Sequence, residues 1–188
     1  MIPYTTERRA DTGVSNVTMG FWLFIASEVM LFGALFSSYA LLRVSAPDWP
    51  RGTDQLSLML GSANTMLLMA LTAIAWRAGR VSVRAARPWV LTASALAMVF
   101  LAIKTLEYIG AWKTGHRPST STFMAMYFTL TGIHAAHVVG GSVANLWALA
   151  GARAVGDALT LARLRVISHY WVFVDLIWIA LFATLYLS

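Results

Sequence analysis

Cysteine is absent from the 188 residues, which excludes disulfides, thiolate metal sites and cysteine nucleophiles. Charge is scarce as well: Asp, Glu, Lys and Arg together make up 12% of the chain, too little to coat an ordinary soluble domain. The four histidines are too few for a di-metal site. No polar stretch is long enough to form a soluble domain, a linker or a low-complexity segment. What occupies the chain instead is apolar, with 59% hydrophobic residues and a mean hydropathy of +0.67. These values describe a polytopic membrane protein. A net charge of +6 is of the sign that suits nucleic acid, but the arginines gather in short loops between apolar runs. That pattern belongs to membrane orientation rather than to a nucleic-acid stripe.

Five apolar runs are long enough to cross a bilayer, at about residues 17–42, 56–76, 88–112, 123–150 and 166–187. The first fifteen residues are polar, and the run after them is too long and too charged at Glu28 for a cleaved signal. Pro47, Pro50, Pro88 and Pro118 fall at or beyond the ends of these runs, where a missing N–H is harmless. The connections are short, so neighbouring helices should pack antiparallel. The predicted architecture is all-α, a single five-span membrane domain over residues 1–188. Arg8, Arg9, Arg77, Arg80, Arg84, Arg87, Arg153, Arg163 and Arg165 fall on one side, and Arg43, Arg51, Lys113 and Arg117 on the other. That imbalance predicts a cytoplasmic N-terminus and an outer C-terminus.

Several polar residues lie inside the spans and need partners there, because an ionised side chain at bilayer depth costs roughly 2.5–3.5 kcal/mol or more. Glu28 and Asp175 are each predicted ~12 Å from the inner face, where they could share a proton or a bridging partner. Asn64 and His137 come out about one turn nearer the midplane. Lys104 and Glu107, one turn apart near the outer end of the third span, are expected to pair and snorkel. His134 and His137 at i, i+3 have metal-ligand spacing but no third partner, so buried hydrogen-bonding histidines are the better reading. The row Gly132, Ala136, Gly140, Ala144 and Ala148 would let another helix approach closely.

Four blocks carry a resemblance. They are Phe24-Ile25-Ala26-Ser27-Glu28-Val29-Met30-Leu31-Phe32, Lys104-Thr105-Leu106-Glu107-Tyr108, Thr131-Gly132-Ile133-His134-Ala135-Ala136-His137-Val138-Val139-Gly140, and Tyr170-Trp171-Val172-Phe173-Val174-Asp175-Leu176-Ile177-Trp178. In this order, on four of five spans, they make the chain similar to subunit III of the haem–copper respiratory oxidases, in its short five-helix form. The resemblance implies an accessory membrane subunit with no redox centre of its own. Haem and copper would sit in partner subunits I and II, and the reaction supported would be oxygen reduction with proton pumping in a bacterial cytoplasmic membrane. It maps the family's carbodiimide-reactive intramembrane carboxylate onto Glu28. It also implies phospholipid held between helices, with Arg153 and Arg165 as candidate headgroup contacts.

The Lys-x-x-Glu-Tyr and Leu-Thr-Gly-Ile-His wording is also similar to subunit III-like proteins of nitric oxide reductases, and a quinol oxidase partner is a further alternative. A proton-coupled carrier is the rival from another class. Five helices without an evident inverted repeat argue against a self-sufficient transporter.

Overall fold

The structure, a computed structural model, describes residues 6–187, and no strand occurs among them. Seven helices follow one another: α1 (Asn16–Ser45), α2 (Gly52–Gln55), α3 (Leu58–Ala78), α4 (Val83–Lys113), α5 (Thr122–Ala150), α6 (Ala152–Val155) and α7 (Asp157–Leu185). Five of them, α1, α3, α4, α5 and α7, are long and apolar enough to cross a membrane. The shortest of these, α3, has 21 residues and is ~32 Å long, which matches a hydrocarbon core of about 30 Å. Serine opens three of the spans: the side chains of Ser15, Ser57 and Ser121 accept from the backbone N–H groups of Thr18, Leu60 and Met124.

Two helices start earlier than their apolar runs. α4 begins at Val83, five residues before Pro88, and α7 begins at Asp157, nine residues before Val166. Hydropathy stops at the arginines, but the helices continue because one face stays apolar and packed. Ala86 and Val90 are buried in α4, and Thr160, Leu164 and Ile167, spaced by four and three, are buried in α7. Pro88 therefore lies inside α4, contrary to the expectation that it marks a span end. It lacks the N–H that the Arg84 carbonyl would otherwise receive, close enough to the helix start for the helix to persist.

α3, α4, α5 and α7 form the core. α3 packs mainly on α4 and α7, and α5 on α7 and α4. Trp171, Trp178, Tyr127, Tyr186 and Phe100 are fully buried among them, with Phe100 edge-on to Trp178 at 5.0 Å. Close approach is specified by single glycines. A Cβ on Gly141 would stand 2.7 Å from the Trp171 ring, and one on Gly52 would run into the Leu185 carbonyl at the end of α7. Most of the expected small-residue row is not the packing face of α5: Ala136 and Gly140 are exposed and Gly132 and Ala144 half-buried, and of the row only Ala148 is buried. The buried face instead runs through Thr131, His134, Val138, Gly141 and Asn145.

α1 stands outside this core and touches α7 and α5. Its buried residues are Ile25, Phe32 and Tyr39, seven apart. A repeat of seven keeps one narrow seam facing a neighbour. Glu28 and Leu35 fall at the intermediate positions of the same seam, so the geometry that docks α1 also turns its carboxylate inward. Near its far end, Tyr39 donates to the Thr184 carbonyl of α7 at 2.8 Å. Ahead of α1, Arg9 forks onto Asp11 at 3.0 and 2.9 Å, and those hydrogen bonds hold the exposed Asp11 carboxyl below the usual carboxylate range.

Candidate functional site

Glu28 meets His137 rather than Asp175. The Glu28 Oε2 to His137 Nε2 distance is 2.8 Å, with the two side chains 15% and 16% exposed. The other ring nitrogen, Nδ1, lies 2.8 Å from the Ile133 carbonyl one turn back. A carbonyl only accepts, so Nδ1 carries a proton. One further proton must then lie between Nε2 and Oε2, on the imidazole or on the carboxyl. Either placement leaves the pair with no net charge, which answers the problem of an acid at bilayer depth without requiring a fixed ion pair. Phe32 packs on the His137 ring at 5.1 Å, and Tyr170 of α7 donates to the His137 carbonyl at 2.8 Å. The site thus joins α1, α5 and α7. Tyr170 also walls an apolar groove of about 480 Å³ between these helices, with Phe21, Phe24 and Ala144.

A second charged cluster closes the far end of the bundle. Lys104 Nζ donates to Glu107 Oε2 at 3.0 Å, to Tyr127 at 3.1 Å and to Tyr186 at 2.9 Å. Tyr186 in turn donates to Glu107 Oε1 at 2.7 Å. The Lys104 and Glu107 side chains are 3% and 6% exposed, so the pair does not snorkel. Burial wins because three N–H donors of the ammonium find two phenol oxygens and a carboxylate within the bundle, supplied by α4, α5 and the C-terminal end of α7. Four aromatic rings, those of Tyr108, Tyr127, Trp178 and Tyr186, stand within 4.8 to 5.5 Å of the ammonium. Tyr108 and Thr131 share a hydrogen bond of 2.6 Å beside it.

Between these two sites several buried polar atoms have no hydrogen-bond partner among the described residues. They include both nitrogens of His134, both side-chain heteroatoms of Asn64 and one carboxylate oxygen of Asp175. The expected bridge between Asp175 and Glu28 is absent among the described hydrogen bonds, because Glu28 is taken by His137. His134 is enclosed by rings, with Phe100 at 5.8 Å and Trp178 at 5.2 Å. It does not hydrogen-bond as expected, whereas His137 does. The two histidines, on one helix, serve different neighbours: His134 faces the core and His137 faces α1. They cannot act together as ligands to haem or a metal ion, and no group of three metal-ligating side chains occurs among the described residues.

Arg153 and Arg165 also part company. Arg165 Nε donates to the Gly79 carbonyl at 3.3 Å, at the C-terminal end of α3, where a cation complements the helix dipole. Arg153 lies on α6, facing a groove beside α4.

Sequence reasoning missed Tyr127, Tyr170 and Tyr186. All three lie within a turn or so of a span end, where a tyrosine reads as an interface anchor; the signal that remains is a hydroxyl that needs a partner if the ring is buried.

A family model for cytochrome c oxidase subunit III matches residues 8–188, nearly the whole chain and every residue of both sites. The chain belongs to this family. Among its relatives, the probable cytochrome c oxidase subunit 3 of Nocardia farcinica is 32% identical over 178 residues, covering 90% of this chain and 87% of the relative. Cytochrome c oxidase subunit 3 of Bacillus sp. (strain PS3) is 28% identical over 193 residues, covering 98% and 92%. The cytochrome bo(3) ubiquinol oxidase subunit 3 of Pseudomonas aeruginosa is 29% identical over 187 residues, covering 94% and 87%. In the subunit III family the cofactors reside in other subunits.

Proposed function

We propose that this chain is the accessory subunit III of a haem–copper terminal oxidase in a bacterial cytoplasmic membrane, N-terminus inside, assembled with a haem- and copper-bearing subunit I and with subunit II. Its task is to stabilise subunit I and its proton uptake during turnover, with phospholipid held between helices. The observation that carries this reading is the Glu28–His137 pair. It is an acid neutralised inside the chain by one shared proton, on a helix docked by a narrow seam. Such a pair can pass a proton between its members without moving net charge through the bilayer, and it needs no metal.

Purifying the chain from native membranes under mild conditions should bring a haem- and copper-containing subunit I with it, and the complex should reduce oxygen. Complexes carrying Glu28→Ala should inactivate faster per turnover than wild type. A stoichiometric haem band in the isolated chain, or an unchanged inactivation rate in that variant, would remove the proposal or leave only a scaffold.

The electron donor is the point at which a second reading has support. A relative of nearly equal similarity is named as part of a ubiquinol oxidase, so a quinol-fed complex stands beside a cytochrome c-fed one. Which subunits copurify, and whether one bears a copper centre of the type that receives electrons from cytochrome c, decides between them.

A further inference from the structure

Two tryptophans of α7 are fully buried, and their indole N–H groups are treated differently. Trp178 Nε1 donates to Thr65 Oγ1 of α3 at 3.0 Å. Trp171 Nε1 has no partner among the described residues, and neither has Ser94 Oγ in α4 or Asn145 Nδ2 in α5. Trp171, Ser94 and Asn145 are 0%, 7% and 2% exposed, so bulk solvent does not serve these atoms.

Helix register brings the three to one level of the bundle. Phe100 of α4 and His134 of α5 meet at 5.8 Å. From that contact the two helices run in opposite senses, so Ser94 and Gly141 lie about 9 and 10.5 Å along them, both toward the arginine-rich end. Gly141 is where the Trp171 ring rests: a Cβ there would meet ring atoms Cζ2 and Cη2 at 2.7 and 2.9 Å. Cζ2 and Nε1 are bonded to the same ring carbon, so that edge of the indole carries the N–H. Asn145 follows one turn after Gly141 on the same buried face. A helical side chain leans toward the N-terminus of its own helix, so Asn145 leans back toward the ring and Ser94, on an antiparallel helix, leans to meet it.

We propose that one water molecule is built into the bundle at this point, accepting from Trp171 Nε1 and Asn145 Nδ2 and donating to Ser94 Oγ. An indole N–H and an amide NH2 only donate, so neither can satisfy the other. A group between them needs two lone pairs, and water also brings a proton for the hydroxyl. About three polar partners is the usual number for a buried water. An anion would accept from the same donors but would stand without a cation: Lys104, the buried ammonium of α4, is about 15 Å further along the helix and is bonded to Glu107, Tyr127 and Tyr186. The water joins α4, α5 and α7 through side chains that do not reach one another. It belongs to the interior of this chain and not to the redox enzyme the chain serves, so it can fail or stand independently of that reading.

The direct test is a density map of the purified protein at a resolution that shows ordered water, with one peak expected at about 2.7–3.2 Å from all three atoms. The sign of a substitution is the second test. Replacing a buried polar group that has no partner by an apolar one raises stability, whereas replacing one that shares a water strands the others. Ser94→Ala and Asn145→Leu should therefore each lower the folded-to-unfolded ratio of the detergent-solubilised full chain about five-fold, and S94A/N145L should lose less than the product of the two. In chain labelled with nitrogen-15 at tryptophan, the Trp171 Nε1–H resonance should show magnetisation transfer from water and should shift in Ser94→Ala, while that of Trp178 stays in place. Should Asn145→Leu fail to fold, Ser94→Ala, which removes a single oxygen, carries both readouts. No peak beside well-resolved Ser94 and Trp171, a gain in stability in either single variant, an unmoved Trp171 resonance, an Asn145 amide oxygen bonded directly to Trp171 Nε1, or a bromide ion taken up at the site would each overturn the assignment.

Discussion

The two charged pairs within the bundle differ in construction. Lys104 and Glu107 sit on one helix, are almost fully enclosed, and are tied by phenols to α5 and the end of α7. Glu28 and His137 sit on different helices, are partly exposed, and are held on one side by a single seam of α1. The first pair pins together helices that already pack extensively. The second is itself a substantial part of what attaches α1. The enclosed, multiply bonded pair lies where helices pack extensively, and the pair sharing one proton lies where a helix is held by one seam.

The largest test of this contrast is Glu107→Ala, which leaves a buried ammonium without its counter-charge. It should cost about 3–5 kcal/mol, seen as loss of folded chain in unfolding of the detergent-solubilised protein. Lys104→Met with Glu107→Leu should recover most of that loss. If the double variant is as unstable as the single, the cluster is not an ion pair held by enclosure.

His137→Ala should cost less, about 1–3 kcal/mol, and the loss should be local. Amide exchange should rise in α1 and stay unchanged in α3 and α4; a rise spread evenly over all five spans would erase the distinction between the two regions. Smaller still is Glu28→Gln, whose amide can donate to Nε2 in place of the shared proton. Its effect on stability should stay below about 1 kcal/mol, and infrared difference spectra should lose a carboxyl or carboxylate band. At the bottom of the scale is the Arg9–Asp11 pair in solvent, where Asp11→Asn should leave the unfolding midpoint unchanged.

Much of this was legible in the chain. Length and hydropathy mark the five spans, since the bilayer fixes how many apolar residues a helix needs. The i, i+3 spacing marks Lys104 and Glu107 as partners. Other features were not readable. Apolar residues surround α1 on every side, so Glu28 alone marks the face that Ile25, Phe32 and Tyr39 share, and nothing in the chain says which residue it meets there. The burial of Lys104 depends on Tyr127 and Tyr186, 23 and 82 positions away, which no local pattern connects. The early starts of α4 and α7 lie among arginines, where a hydropathy window ends although one buried face continues.

Glu28 and His137 are separated by 109 positions in the chain. During synthesis α1 therefore enters the bilayer before its partner exists. At translation rates of 5–20 residues per second the interval is on the order of 5–20 seconds. Throughout that interval the carboxyl has no imidazole to share with, and the cost of an unpaired acid at bilayer depth falls on α1 alone until α5 is made.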